Sequence, residues 1–213
     1  MPPKPQPEDI AGGQALIEGV MMRHGDKIAA AVRRPDNEIV FQEREYIPLT
    51  KRYKVLGWMF IRGTITLFEM MIVGFKALMF SADVALSEEE RKPKDWEMYL
   101  SLMISFSIAI FFFVVVPAYC FTKMKFYIDN LLLLNILEGC VRLGMFLCFL
   151  AATLLMKDMR RVYMYHGAEH KTVFAWENGQ DLTVENIKNF STRHPRCGTS
   201  FILFVMIVSI LVF

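Results

Sequence analysis

Two short stretches of this sequence carry residue types whose spacing could do chemistry. In Tyr163-Met164-Tyr165-His166-Gly167-Ala168-Glu169-His170-Lys171 the histidines stand four apart, so on a helix their imidazoles project from adjacent turns of one face, a spacing that suits a shared metal ion. Arg193-His194-Pro195-Arg196-Cys197-Gly198-Thr199 follows in the same hydrophilic segment and adds a His and a Cys at a ligand-like spacing. Three of the chain's four histidines are thus gathered between two apolar runs.

Glu169 beside the second histidine completes His-x-x-Glu-His, the order seen in inverzincins, where the glutamate is the general base toward metal-bound water. Nitrogen and sulfur donors suit zinc better than magnesium or calcium, which prefer oxygen. Iron or nickel also accept imidazole. With His166, His170, His194 and Cys197 all ligating, the metal is closed and structural. With three of them it keeps an open position, Glu169 takes a proton, and Arg193 or Arg196 stabilises a developing anion. Hydrolysis of an ester, amide or phosphate is the natural reaction class for the open form. The plainer alternatives are interfacial helix histidines bonded to neighbours, and a Cys197 acting alone as a thiol of lowered pKa.

The elements that position these residues are dominated by apolar runs. The chain has 213 residues, 54% hydrophobic and 13% aromatic, with a mean hydropathy of +0.32. Those values point to membrane insertion. A formal charge of +2 is too small for a nucleic-acid surface, and nucleic acid is excluded as a partner class. Cys120, Cys140 and Cys148 lie in apolar stretches as small hydrophobes, leaving only Cys197 among polar residues.

Residues 1–10, rich in proline and charge, read as a disordered tail. Residues 11–50 form a small β-rich unit. Its three strand-like runs, around Ala15 to Met22, Lys27 to Val32 and Ile39 to Tyr46, are separated by His24-Gly25-Asp26 and Pro35-Asp36-Asn37. Residues 51–98 hold an amphipathic or re-entrant helix and an acidic loop that includes Glu88-Glu89-Glu90.

Residues 99–156 read as a transmembrane hairpin, with spans over Tyr99 to Phe121 and Leu131 to Met156. Glu138 and Arg142, four apart in the second span, can pair on one helix face. Residues 157–198 form the loop with the candidate metal site. Residues 199–213 begin a further helix of about 15 residues, roughly 22 Å, which stops short of a bilayer crossing and reads as cut off mid-span.

Gly57 to Ser81 is ambiguous. It is apolar over most of its surface, yet Arg62, Glu69 and Lys76 recur every seven residues on one stripe. If it crossed, the loop carrying Lys157, Arg160 and Arg161 would face outward, against the positive-inside tendency. An interfacial or re-entrant helix instead leaves the N-terminus and the 157–198 loop in the cytoplasm.

Gly12-Gly13-Gln14-Ala15-Leu16-Ile17-Glu18-Gly19-Val20-Met21-Met22-Arg23, the Tyr165 to Lys171 string and His194-Pro195-Arg196-Cys197-Gly198-Thr199-Ser200-Phe201 together resemble the bacterial YqhQ family of uncharacterised membrane proteins. The resemblance spans nearly the whole chain. It implies a multi-pass membrane protein with a suggested metal dependence and no established reaction, and members usually continue with further apolar sequence.

The expectation is therefore an α-helical membrane protein of the bacterial inner membrane: a transmembrane helix hairpin plus further helices, with a small N-terminal antiparallel β element. Its leading functional reading is a metal-dependent hydrolase holding zinc. The alternative is a non-enzymatic scaffold or membrane-protein-biogenesis component with a structural metal or none. The bilayer is the first partner, and a protein partner or a second copy of the chain is the second class.

Overall fold

The computed structural model describes residues 11–85 and 95–212, so the expected tail and Glu88-Glu89-Glu90 lie outside the described residues. The chain divides into two compact units, Met1–Glu90 with Lys157–His194, and Arg91–Met156 with Pro195–Phe213.

The first unit is built on an antiparallel meander, β1 (Ala11–Leu16), β2 (Gly19–His24), β3 (Lys27–Arg33) and β4 (Ile39–Glu45), in the order β1-β2-β3-β4. The first strand-like run of the sequence is thus two strands, not one. Leu16 pairs with Gly19 across the two-residue turn Ile17-Glu18, where Glu18 takes a left-handed φ of 51°. A glutamate there hides the hairpin, because such turns normally advertise themselves with Gly or Asn. Gly19 is required next to it: a Cβ would fall 2.3 Å from the Ala31 carbonyl oxygen on β3.

Strand alternation gives the sheet two faces. Leu16, Met21, Ile28, Ala30 and Val32 point to one, where α2 (Met59–Ala85) covers them with Val73, Ala77, Phe80 and Val84. Leu16 and Val32 are fully buried, and burying a side chain of that size is worth roughly 1.5–3 kcal/mol. The Ser81 hydroxyl accepts the Ile17 N–H at 3.3 Å. Glu69, on the stripe the sequence shows, is buried and accepts the N–H of Leu49, the first residue of α1 (Leu49–Arg52), at 2.7 Å. Burial and the neighbouring Glu69 carboxylate push the Tyr46 phenol up to about 12. Arg62 and Lys76, by contrast, are exposed.

The opposite face, marked by Gly13 and Met22, receives α6 (Lys157–Glu177). A short α7 (Val184–Lys188), started by Thr183 capping the Asn186 N–H, is tied back to α6 where Lys171 Nζ donates to the Lys188 carbonyl at 2.8 Å.

The second unit is helical. α3 (Asp95–Ile110) passes through a π-helical turn, Phe111–Val115, into α4 (Val116–Met124). Pro117 supplies the cause, since its ring clashes with the carbonyl four residues back and it has no N–H to donate. α5 (Leu131–Thr153) begins at Asn130, whose side chain accepts the Leu133 N–H at 3.1 Å. α8 (Gly198–Val212) packs on α5 at Gly139, where a Cβ would fall 2.3 Å from Ile210 Cγ1.

Among the described residues three helical stretches, Met59–Ala85, Tyr99–Met124 and Leu131–Thr153, are long and apolar enough to cross a membrane. Their outward side chains include Phe106, Phe111, Phe112, Leu131 and Leu132, all exposed. Such a surface is stable in hydrocarbon and unstable in water. The molecule is an α-helical membrane protein with a small antiparallel sheet.

Candidate metal centre

The site grows from the contact of α6 with β1. A Cβ on Gly13 would lie 2.6 Å from Glu169 Cγ and 2.8 Å from the Met21 carbonyl oxygen, so only glycine lets α6 sit this low over the strand. Two residues earlier on the same helix Gly167 faces Thr192, with a Cβ position 3.2 Å from its Cγ2. The β1–β2 turn holds the start of α6. Glu18 accepts Arg161 Nε at 2.7 Å and Nη2 more closely, and accepts the Tyr165 hydroxyl at 3.1 Å. The Arg161 hydrogen bond holds the Glu18 carboxyl below its ordinary range against the opposing effect of burial, while burial and Glu18 itself push the Tyr165 phenol up.

One turn on, helical spacing brings His166 and His170 together with ring centroids 4.2 Å apart, their candidate donor atoms within 4.8 Å. Buried Glu169 lies between them, its Oε2 3.4 Å from His166 Nδ1 and 3.9 Å from His170 Nε2. The Thr192 carbonyl is 2.6 Å from His170 Nδ1. A carbonyl can only accept, so Nδ1 carries a proton, and in the neutral ring Nε2, on the Glu169 side, is the nitrogen left to act as a ligand. That second bond is the usual support for a metal-ligating imidazole.

His194 is buried on the returning segment, its ring centroid 5.8 Å from that of His170 and 4.4 Å from that of Phe174. Glu177 Oε2, at 3.3 Å from His194 Nε2, orients it. The structure therefore brings His166, Glu169, His170 and His194 together within the first unit. Arg193 is exposed beside His194. Arg196, also exposed, and buried Cys197 belong to the second unit, with Cys197 Sγ 2.9 Å from Thr199 Oγ1. His24, the remaining histidine, meets Trp176 edge-on at 5.3 Å.

Over residues 58–213 the chain matches the family described as Protein of unknown function (DUF1385). It is 36% identical over 221 residues to "Uncharacterized protein YqhQ" of Bacillus subtilis (strain 168), covering 95% of this chain and 68% of that protein. The chain belongs to this family. No solved structure matches it.

All four clustered residues of this YqhQ-like chain fall inside the matched segment, as do Glu138 and Arg142. Arg142 Nε donates to Glu138 Oε1 at 3.1 Å, and the pair lines a cavity of about 520 Å³ with Asn135, Ser209 and apolar side chains of the second unit. Glu177 and Thr192, the supports of His194 and His170, are absent from the sequence reading. Glu177 lies one α-helical heptad beyond His170, a signal that was there to be used, whereas a backbone carbonyl such as that of Thr192 leaves none.

Proposed function

We propose that the chain is a membrane-anchored, metal-dependent hydrolase in which His166, His170 and His194 hold a zinc-type ion and Glu169 is the general base. The observation that carries this reading is the buried Glu169 carboxylate between two imidazoles, one of which is fixed by the Thr192 carbonyl with its Nε2 on the carboxylate side. By type the donors suit zinc, and imidazoles sharing a tetrahedral zinc have ring centres roughly 5 Å apart; His166 and His170 stand at 4.2 Å and are the close-set pair, with His194 at 5.8 Å from His170.

A bound divalent ion supplies Lewis acidity and makes a water more acidic. Glu169 accepts the proton released on attack at an ester, amide or phosphate, and can return it to the leaving group. His170 is kept in one tautomer by Thr192, and His194 in one orientation by Glu177. Arg193, exposed and next to His194 in sequence, is the cation assigned to an anionic substrate, with Arg196 two residues beyond His194 the second basic residue of that stretch. The basic residues around Lys51, Arg52, Lys157, Arg160 and Arg161 favour the cytoplasmic side of a bacterial inner membrane for this unit.

Glu169→Gln is expected to retain metal and to lose at least 100-fold in turnover of a chromogenic ester or phosphodiester hydrolysed by the wild type. A second reading rests on Cys197, which three residues of chain keep within roughly 10 Å of His194. With Cys197 as a fourth ligand the metal is a structural clamp for a scaffold. Then Glu169→Gln is silent, and Cys197→Ser releases the metal.

A further inference from the structure

We infer that α2, although long and apolar enough to cross a bilayer, lies in the plane of the membrane surface as the lipid-binding face of the first unit. The inference rests on the bilayer assignment and is independent of the metal. Two observations carry it.

The first is parity. The sheet and α6 pack on each other, joined by Glu18 with Arg161 and by Gly13 under Glu169, so residues 11–45 and 157–177 share one side of the membrane. The chain between them must cross an even number of times, yet its described residues contain three stretches of crossing length. One of them does not cross.

The second identifies which. From Glu69 to Val84 α2 runs along the sheet, through the Ser81 bond to Ile17, the approach of Gly74 to Gln14 and the packing of Val73, Ala77, Phe80 and Val84. A sheet whose outer strand carries exposed Glu43, Arg44 and Glu45 stays out of hydrocarbon. Met59 to Phe68 remains, about 15 Å of helix against a core of roughly 30 Å.

The distribution of side chains fits an immersed helix. On the side opposite the sheet, Phe60, Leu67, Phe68, Met71, Ile72 and Phe75 are exposed. At 100° per residue, Arg62, Lys76 and Asp83 fall along one boundary between the two faces, where charged heads reach water while the helix lies in the headgroup layer. Exposed Tyr53 and Trp58 precede the helix, beside exposed Arg52, the composition of an interface with anionic lipid. The occupant of the apolar face is thus a bilayer containing anionic headgroups.

The test uses the full chain in phosphatidylglycerol–phosphatidylcholine vesicles. Tryptophan is placed singly at Phe60, Phe68 and Phe75 in a background with Trp58, Trp96 and Trp176 changed to Phe, and quenched by lipids brominated at different depths. All three positions are expected to be quenched most by shallow bromines, to within twofold of one another. A quenching maximum that moves to the bilayer centre along the series, or no quenching at any position, overturns the inference. Independently, Asp36→Cys and Asp83→Cys, with the native cysteines replaced by Ser, are expected to react with an impermeant maleimide from the same side of the membrane. Labelling from opposite sides contradicts it.

Discussion

The two units solve the same problem, how to bury backbone polar groups, in different solvents. In the first, a sheet lies between two helices, and the side chains that hold it are specific: Glu69 on the Leu49 N–H, Ser81 on the Ile17 N–H, Glu18 on Arg161 and Tyr165. In the second, the helices satisfy their own backbones, and few large side chains are fully enclosed, Leu134 and Pro117 among them. Its outward surface needs only to be apolar. Precision of position is therefore concentrated in the first unit, where the imidazoles and Glu169 gather, and anchorage in the second.

The sharpest way to break this contrast is Phe111→Asp. Phe111 is exposed near the middle of the Tyr99–Met124 stretch, so on a watery surface aspartate would be harmless. In hydrocarbon it costs about 3 kcal/mol at a helix centre, and the membrane-inserted yield should fall severalfold.

Gly13→Val comes next, because a side chain there meets Glu169 and the Met21 carbonyl at under 3 Å. Overpacking of this kind costs about 1–3 kcal/mol, which should appear as a lower unfolding temperature. Gly144, with nothing within 4 Å of its Cβ position, is the contrasting site: Gly144→Ala should leave stability unchanged or raise it by up to about 1 kcal/mol.

Glu177→Gln removes the carboxylate that orients His194 and should weaken metal affinity about 10–100-fold in a chelator competition, with the fold intact. The smallest effect is on acid stability. Since the folded state lowers the Glu18 pKa, its contribution is full above the ordinary value of 4.5 and is lost as pH falls through the folded value. Thermal unfolding of Glu18→Gln should therefore lie below wild type at pH 7 and converge with it in acid.

Hydropathy made the second unit legible, because a helix in lipid is specified by little more than a run of apolar residues. The two runs beginning at Tyr99 and Leu131 correspond to stretches that end at Met124 and Thr153. The His-x-x-Glu-His spacing likewise announced the pairing of His166 with His170, since helical geometry is local. The approach of His194 was hinted at only by composition.

What the sequence concealed depends on tertiary contact. The Ile17-Glu18 turn is stabilised in part by Arg161, more than a hundred residues away in the chain, so its residue types do not resemble a turn. Glu69 looked like one of three equivalent charges, and only the Leu49 N–H and the sheet make it a buried one.

The most direct test is elemental analysis of the detergent-purified full chain, wild type beside the double variant His166→Ala with His170→Ala. The expected result is about one zinc-type ion per wild-type chain and none in the folded double variant. A wild-type protein that carries no divalent metal, even after incubation with zinc and gel filtration, would contradict the proposal that these imidazoles share an ion.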